Sequence, residues 1–293
     1  MSSHPSSADP VGVVGAGSFG TALANLLAEN QPVLLYARRA DVAKRLEESR
    51  QFRKWRLHDN IQVINDLETI ANECQLIFPI VPSENFRQLI RDMSPFLRPY
   101  HMLLHGTKGL DVELSAEEDL KSLESINKNR VRTMSELIRA ESVVLRVGCV
   151  AGPNLASEIA EGMPAATVVA SPFEEVIKAG QQALRSSMFR VHANHDLLGV
   201  ELAGVLKNIM AIASGILKGL GYGDNTAALL LTRGLAEMAS IGRALGADPR
   251  SFLGLAGLGD LIATCNSPKS RNYTVGYRLA KGEALDEIIT DME

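Results

Sequence analysis

The stretch ELAGVLKNIMAIASGILKGLG, residues 201–221, sets Lys207 and Asn208 in the middle of an apolar run. A charged side chain is rarely buried unless it is paired or used, so Lys207 either lies on a solvated face or has chemistry to perform. On a helical wheel Leu202, Val205, Leu206, Ile209, Ile212, Ala213, Ile216 and Leu217 share one broad arc. The opposite arc holds Gly204, Lys207, Asn208, Ala211, Ser214, Gly215 and Lys218. That second arc is either a solvated face or, being mostly Gly, Ala and Ser, a surface open to another backbone or a ligand. Further on, GLAGLGDLIATC (254–265) places Asp260 at an expected N-cap with Thr264 one turn later. The run NSPKSRNYTVGYRLAKG (266–282) starts another helix, with Ser270 as N-cap and Gly282 as its stop. Arg271 and Asn272 fall in its first turn. Free backbone N–H groups, a hydroxyl and a guanidinium make an anion site suited to a phosphate. The same residues also read as an ordinary cap with an exposed arginine.

A second candidate site lies near the N-terminus. VGVVGAGSFG (11–20) is an apolar strand ending in Gly15, Gly17 and Gly20, a G-x-G-x-x-G. The helical stretch TALANLLAEN and a second strand, PVLLYARR (32–39), follow at once. In that context Gly15 permits the tight turn, Gly17 lets a pyrophosphate approach, and Gly20 lets the helix pack on the strand. The second strand ends in Arg38 and Arg39 instead of an acidic residue, which favours the 2′-phosphate of NADP over NAD.

These sites need a scaffold. Strands are predicted at 74–81, 101–106, 144–152 and 165–170, with amphipathic stretches between them, which argues for a doubly wound parallel sheet. Ligands of such sheets sit at the carboxyl ends of the strands. VPSENF (81–86), HGTKG (105–109) and AGPN (151–154) fall at those ends. From about residue 193 the strand signals stop and helical spacing takes over. The expected organisation is a frayed polar tail at 1–10, a Rossmann-like dinucleotide-binding domain at 11–192, and a helical domain at 193–293. Residues 111–142 read as a solvated excursion without an assigned function.

Composition narrows the classes. The net charge of −4 gives no basis for nucleic-acid binding. The cysteines Cys74, Cys149 and Cys265 form neither a disulfide framework nor a metal pattern, so a reducing cytoplasm is expected and no metal is. The apolar stretch around 202–220 is interrupted by Lys207, Asn208 and Lys218 and makes a poor membrane span.

Taken in order, GAGSFG, HGTKG, AGPNLASE, ELAGVLKN and GLGDLIATC followed by SRN resemble the soluble, two-domain NAD(P)-dependent glycerol-3-phosphate dehydrogenases. The resemblance runs from about residue 11 to the end of the chain and is poor over 111–142. It implies a Rossmann-like domain followed by a helical one, with the active site between them. The implied reaction is reversible hydride transfer between NAD(P)H and dihydroxyacetone phosphate, giving sn-glycerol 3-phosphate, a phospholipid precursor. It further implies that Lys207 is the catalytic acid/base, that Lys108 touches substrate and cofactor, and that Asp260 orients Lys207. Asn208, Thr264, Ser270, Arg271, Asn272, Gly152 and Asn154 are implied to bind substrate. Ser18, Phe19 and Ala156 are implied to face the cofactor, which Arg271 would also reach. A cytoplasmic homodimer is implied as well.

Three departures stand out. Phe19 occupies a position that is often tryptophan in the family, and Asn154 one that is often serine or threonine. The chain ends at ITDME (289–293), where family members continue with a cofactor-contacting glutamate and further helices. The competing readings are a β-hydroxyacid or ketopantoate-type reductase of the same architecture, and a non-catalytic NADP-binding protein.

Overall fold

The computed structural model describes residues 9–115 and 117–292, with the side chain of Lys121 left aside. Most of the expected tail, residues 1–8, therefore lies outside the described residues. Eight strands form one sheet: β1 Val11–Val14, β2 Val33–Tyr36, β3 Ile61–Ile64, β4 Leu76–Pro79, β5 Met102–His105, β6 Arg146–Ala151, β7 Ala165–Ala170 and β8 Phe189–Asn194. Their spatial order is β8-β7-β6-β5-β4-β1-β2-β3. The order reverses beside β1, which pairs in parallel with both β2 and β4. A crevice opens at such a switch point, outside the carboxyl ends of the strands.

Short apolar runs buried on both faces explain the central strands. Val13, Leu35 and Phe78 pack on one side with Leu23 and Leu27 of helix α1 (Ser18–Ala28). Val14, Ile77 and Leu103 pack on the other side with Phe86, Ile90 and Leu137. Helices on both faces make the sheet doubly wound. One pair departs from the parallel expectation: β6 and β7 run antiparallel.

The stretch 111–142 is more structured than a solvated excursion. Leu110–Val112 pairs antiparallel with Val131–Thr133. The helix Met134–Glu141 follows, opened by a capping box between Thr133 and Glu136. Its Met134, Leu137 and Ile138 are fully buried. Arg87 ties both ends of the stretch down, binding Asp111 (Nε to Oδ1, 3.0 Å) and Glu141 (2.7 Å).

After Asn194 every regular element among the described residues is helical. The principal ones are α2 Leu197–Gly219, α3 Asp224–Ala244, α4 Asp260–Cys265 and α5 Arg271–Ala280. By length and composition α2 could cross a membrane, yet half of its most apolar window is buried inside the fold. Its two arcs are used in an unexpected way. Gly204, Lys207, Ala211, Ser214 and Gly215 are buried, whereas Ile209 is 59% exposed. The reason is steric. A Cβ on Gly215 would stand 2.0 Å from the Tyr273 carbonyl oxygen, and one on Gly276 would stand 2.0 Å from that of Ile212. The small residues let α2 and α5 meet backbone to backbone, so the polar-looking stripe is the packing surface.

Candidate active site

Lys207 is 5% exposed and Asp260 2%. A π-helical turn, Leu255–Gly259, runs directly into α4 and presents Asp260 as that helix's first residue. Asp260 is not the cap expected from the sequence. Gly259 holds that position, and no side chain caps the helix. The Asp260 carboxylate instead binds two lysines. Oδ1 accepts from Lys207 Nζ at 2.9 Å, and Oδ2 accepts from Lys108 Nζ at 2.6 Å. Thr264 lies one turn along α4. Its hydroxyl accepts from Lys207 Nζ at 2.5 Å and donates to Asp260 Oδ1 at 3.1 Å. Lys108, in the loop after β5, also donates to the Gly152 carbonyl at 3.2 Å. With its side chain 26% exposed, Lys108 stands at the mouth of this centre.

Two cations on one carboxylate leave a net positive charge in a shielded place. Burial pushes the Lys207 amine down, the Lys108 cation pushes it further, and Asp260 opposes both; the balance sits at about 8. Lys207 can therefore exchange a proton near neutral pH.

Around the centre, Gly152 has φ +142°, a backbone that only glycine adopts readily. Asn154 Nδ2 donates to Thr167 Oγ1 at 2.9 Å, while its buried Oδ1 has no partner among the described residues. Ser270 caps α5, its hydroxyl accepting from Tyr273 N at 3.3 Å. Arg271 is exposed, Asn208 and Asn272 are half-buried, and the side chains of all three lack hydrogen-bond partners among the described residues. The start of α5 makes no hydrogen bond or ion pair to either lysine among the described residues. It is linked instead to the helix Ala156–Ala160 by Lys269 and Glu158, at 2.9 Å.

The glycine turn fits a dinucleotide. Gly15 has φ +125°, and a Cβ there would stand 2.1 Å from the Ile80 oxygen. A Cβ on Gly20 would stand 1.8 Å from the Gly15 oxygen, whereas one on Gly17 would meet nothing within 4 Å. Helix α1 begins without a side-chain cap and without an acidic residue in its first turn, so its leading N–H groups are open to an anion. Ser18 and Phe19 lie in that turn, and Phe19 and Ala156 pack on the same apolar cluster. At the end of β2 the arginine pair is not two free cations. Arg39 is bound to Asp41 at 2.6 Å, which leaves Arg38 exposed and without an ion-pair partner among the described residues.

Sequence reasoning gave no work to His105, Glu201 or Ser135. They are 1%, 7% and 2% exposed and cluster together. The signal available was a histidine ending an apolar strand and a glutamate inside an apolar helix.

A Rossmann-type sheet whose switch-point crevice meets a lysine-held buried carboxylate defines a nicotinamide-nucleotide oxidoreductase. Family models for the N- and C-terminal parts of NAD-dependent glycerol-3-phosphate dehydrogenase match residues 10–177 and 196–293. A glycerol-3-phosphate dehydrogenase (NAD(P)+) of Ectopseudomonas mendocina is 43% identical over 285 residues, 96% of this chain and 79% of that protein. One from Pseudomonas putida KT2440 is 44% identical over the same shares. The crystal structure of a glycerol-3-phosphate dehydrogenase from Coxiella burnetii superposes with a TM-score of 0.85 at 34% identity, covering 97% of this chain and 83% of that one. The chain belongs to the NAD-dependent glycerol-3-phosphate dehydrogenase family, whose cofactor is NAD(P).

Proposed function

We propose that this protein catalyses the reversible reduction of dihydroxyacetone phosphate to sn-glycerol 3-phosphate by NAD(P)H, with Lys207 handling the proton. The observation that carries the reading is the buried Asp260 carboxylate gripping Lys207 and Lys108 together. Bound cofactor supplies the hydride. In reduction, protonated Lys207 delivers its proton to the ketone oxygen as that oxygen becomes an alkoxide. In oxidation, the neutral amine takes the hydroxyl proton. A lysine poised at about 8 offers both forms. Asp260 and Thr264 fix the direction of its Nζ. Lys108, nearer the mouth, adds a cation where negative charge develops.

The orphaned Asn154 Oδ1 is an acceptor for a substrate hydroxyl, beside Gly152. Asn208, Ser270, Arg271 and Asn272 supply further donors, with Arg271 and the first turn of α5 for the phosphate. Gly15, Gly17, Ser18, Phe19, Gly20 and Ala156 hold the cofactor, which Lys108 and Arg271 also reach. Arg38 favours NADP, while NAD is also accepted. The division between the cofactor and catalytic parts falls near the end of β8.

A cytoplasmic homodimer that feeds phospholipid backbones completes the reading. The free cysteines suit a reducing compartment, and exposed Ile209, Leu229 and Leu253 offer apolar surface of the kind a second copy covers.

The test is the loss of absorbance at 340 nm with dihydroxyacetone phosphate, using NADPH and NADH in parallel. Oxidation of both, faster with NADPH, is expected. Turnover of a β-hydroxyacid or of ketopantoate, with none of dihydroxyacetone phosphate, would overturn the reading.

A further inference from the structure

Glu201 and His105 are buried, ionisable and outside the machinery described above. Glu201 lies on α2 six residues before Lys207, and His105 closes β5 three residues before Lys108. His105 Nε2 is 3.0 Å from Glu201 Oε1, in ion-pair range but outside hydrogen-bond alignment. Glu201 Oε1 also accepts the Ser135 backbone N–H at 2.9 Å, and Oε2 accepts the Ser135 hydroxyl at 2.5 Å. Ser135 is the second residue of the helix Met134–Glu141, so the carboxylate rests on that helix's N-terminus. Burial alone would push the Glu201 carboxyl up, but His105 and the Ser135 donors hold it below its ordinary value.

A buried polar cluster often contributes little net stability compared with apolar packing; what it can fix is geometry. Here it fixes a register. Glu201, Gly204 and Lys207 are spaced by three on α2, each step a rise of about 4.5 Å. His105 and Lys108 are spaced by three in the facing segment. Between the two contacts, a Cβ on Gly204 would stand 3.5 Å from Lys108 Cγ, so the lysine stem runs along the helix at that point. We propose that Glu201, clamped by His105 and Ser135, is a positioning residue that locks α2 against the β5 loop so that Lys108 and Lys207 meet on Asp260. This also gives residues 111–142 a purpose, since they deliver Ser135. The inference rests on the reaction proposed above.

The groups facing Lys207 are Lys108 from the β5 loop and Asp260, Thr264 and Cys265 from α4; Glu201 lies on its own helix. The test compares the wild type, Glu201→Gln, Lys108→Ala and the double variant, reading kcat and the pH dependence of kcat/KM. Glu201→Gln should lower kcat about ten- to hundredfold, the scale of an ångström-sized misplacement. NADPH affinity, read by fluorescence, should hold. The alkaline break should move up, because Lys108 retreats from Lys207. Direct loss of a negative charge would move it down, so the direction separates positioning from simple electrostatics. In the Lys108→Ala background the further loss should largely vanish.

An unchanged kcat and break in Glu201→Gln, or an undiminished loss in the double variant, would overturn the proposal. If Glu201→Gln does not fold, His105→Gln and Ser135→Ala carry the same comparison. Competitive acylation of Lys207 against pH needs no turnover. If the wild type does not reduce dihydroxyacetone phosphate, the reaction reading fails. The positioning role then stands on an upward shift of the acylation midpoint and falls on an unchanged one.

Discussion

Glycine does opposite work in two regions of this molecule. Where α2 crosses α5, Gly215 and Gly276 are filled by the facing backbone, with 2.0 Å left for a Cβ at either position. In the turn after β1, Gly17 faces open space. The first region uses the missing side chain to bring two helices together. The second leaves the space in front of it open. Residue type alone does not tell the two apart; the neighbours decide. The α2 stripe carries the further lesson that a surface built for packing can also hold a charged group, because Lys207 belongs to the same buried face.

The largest effect is expected where packing and chemistry overlap. Lys207→Ala should cut kcat by roughly 10²–10⁴-fold, the usual scale for a general acid. Asp260 keeps Lys108 as its partner, so the variant should still fold, as circular dichroism and a thermal melt would check. Next comes the crossing itself. Gly276→Val forces α5 off α2 and should cost about 3 kcal/mol or more in a urea titration. The matching change on the ligand side sharpens the contrast. Gly17→Ala should cost at most about 1 kcal/mol of stability, since its Cβ meets nothing, yet weaken NADPH binding measured by calorimetry. The smallest effects lie at the end of β2. Arg38→Ala should raise the KM for NADPH about tenfold and leave that for NADH nearly unchanged. Arg39→Ala should do much less, because Asp41 already occupies that guanidinium.

How much was legible follows the same division. The central strands declare themselves as apolar runs, and the glycine turn is readable because strand, turn and helix are adjacent in sequence. Ser270 as a cap is equally local. β3 and β8 are harder: Ile61–Ile64 alternates buried and exposed over only four residues, and Phe189–Asn194 is an edge strand with mostly open faces. The burial of α2 could not be read from its wheel, since it depends on α5, some sixty residues away. Lys207 and Asp260 could be suspected singly. Their meeting with Lys108 is a tertiary fact, as is the clamp on Glu201. The arginine pair misleads for a local reason: Asp41 lies two residues beyond Arg39, past the strand end where an acidic residue was sought.

The central claim is that Lys207 carries the proton in both directions. The most direct test is kcat/KM against pH for reduction and for oxidation in the wild-type protein. Burial and Lys108 lower the amine to about 8, so reduction, which needs the ammonium, should fall as pH rises through that value, and oxidation, which needs the free amine, should rise through it. Profiles that move together, or that show no break near 8, would contradict the account.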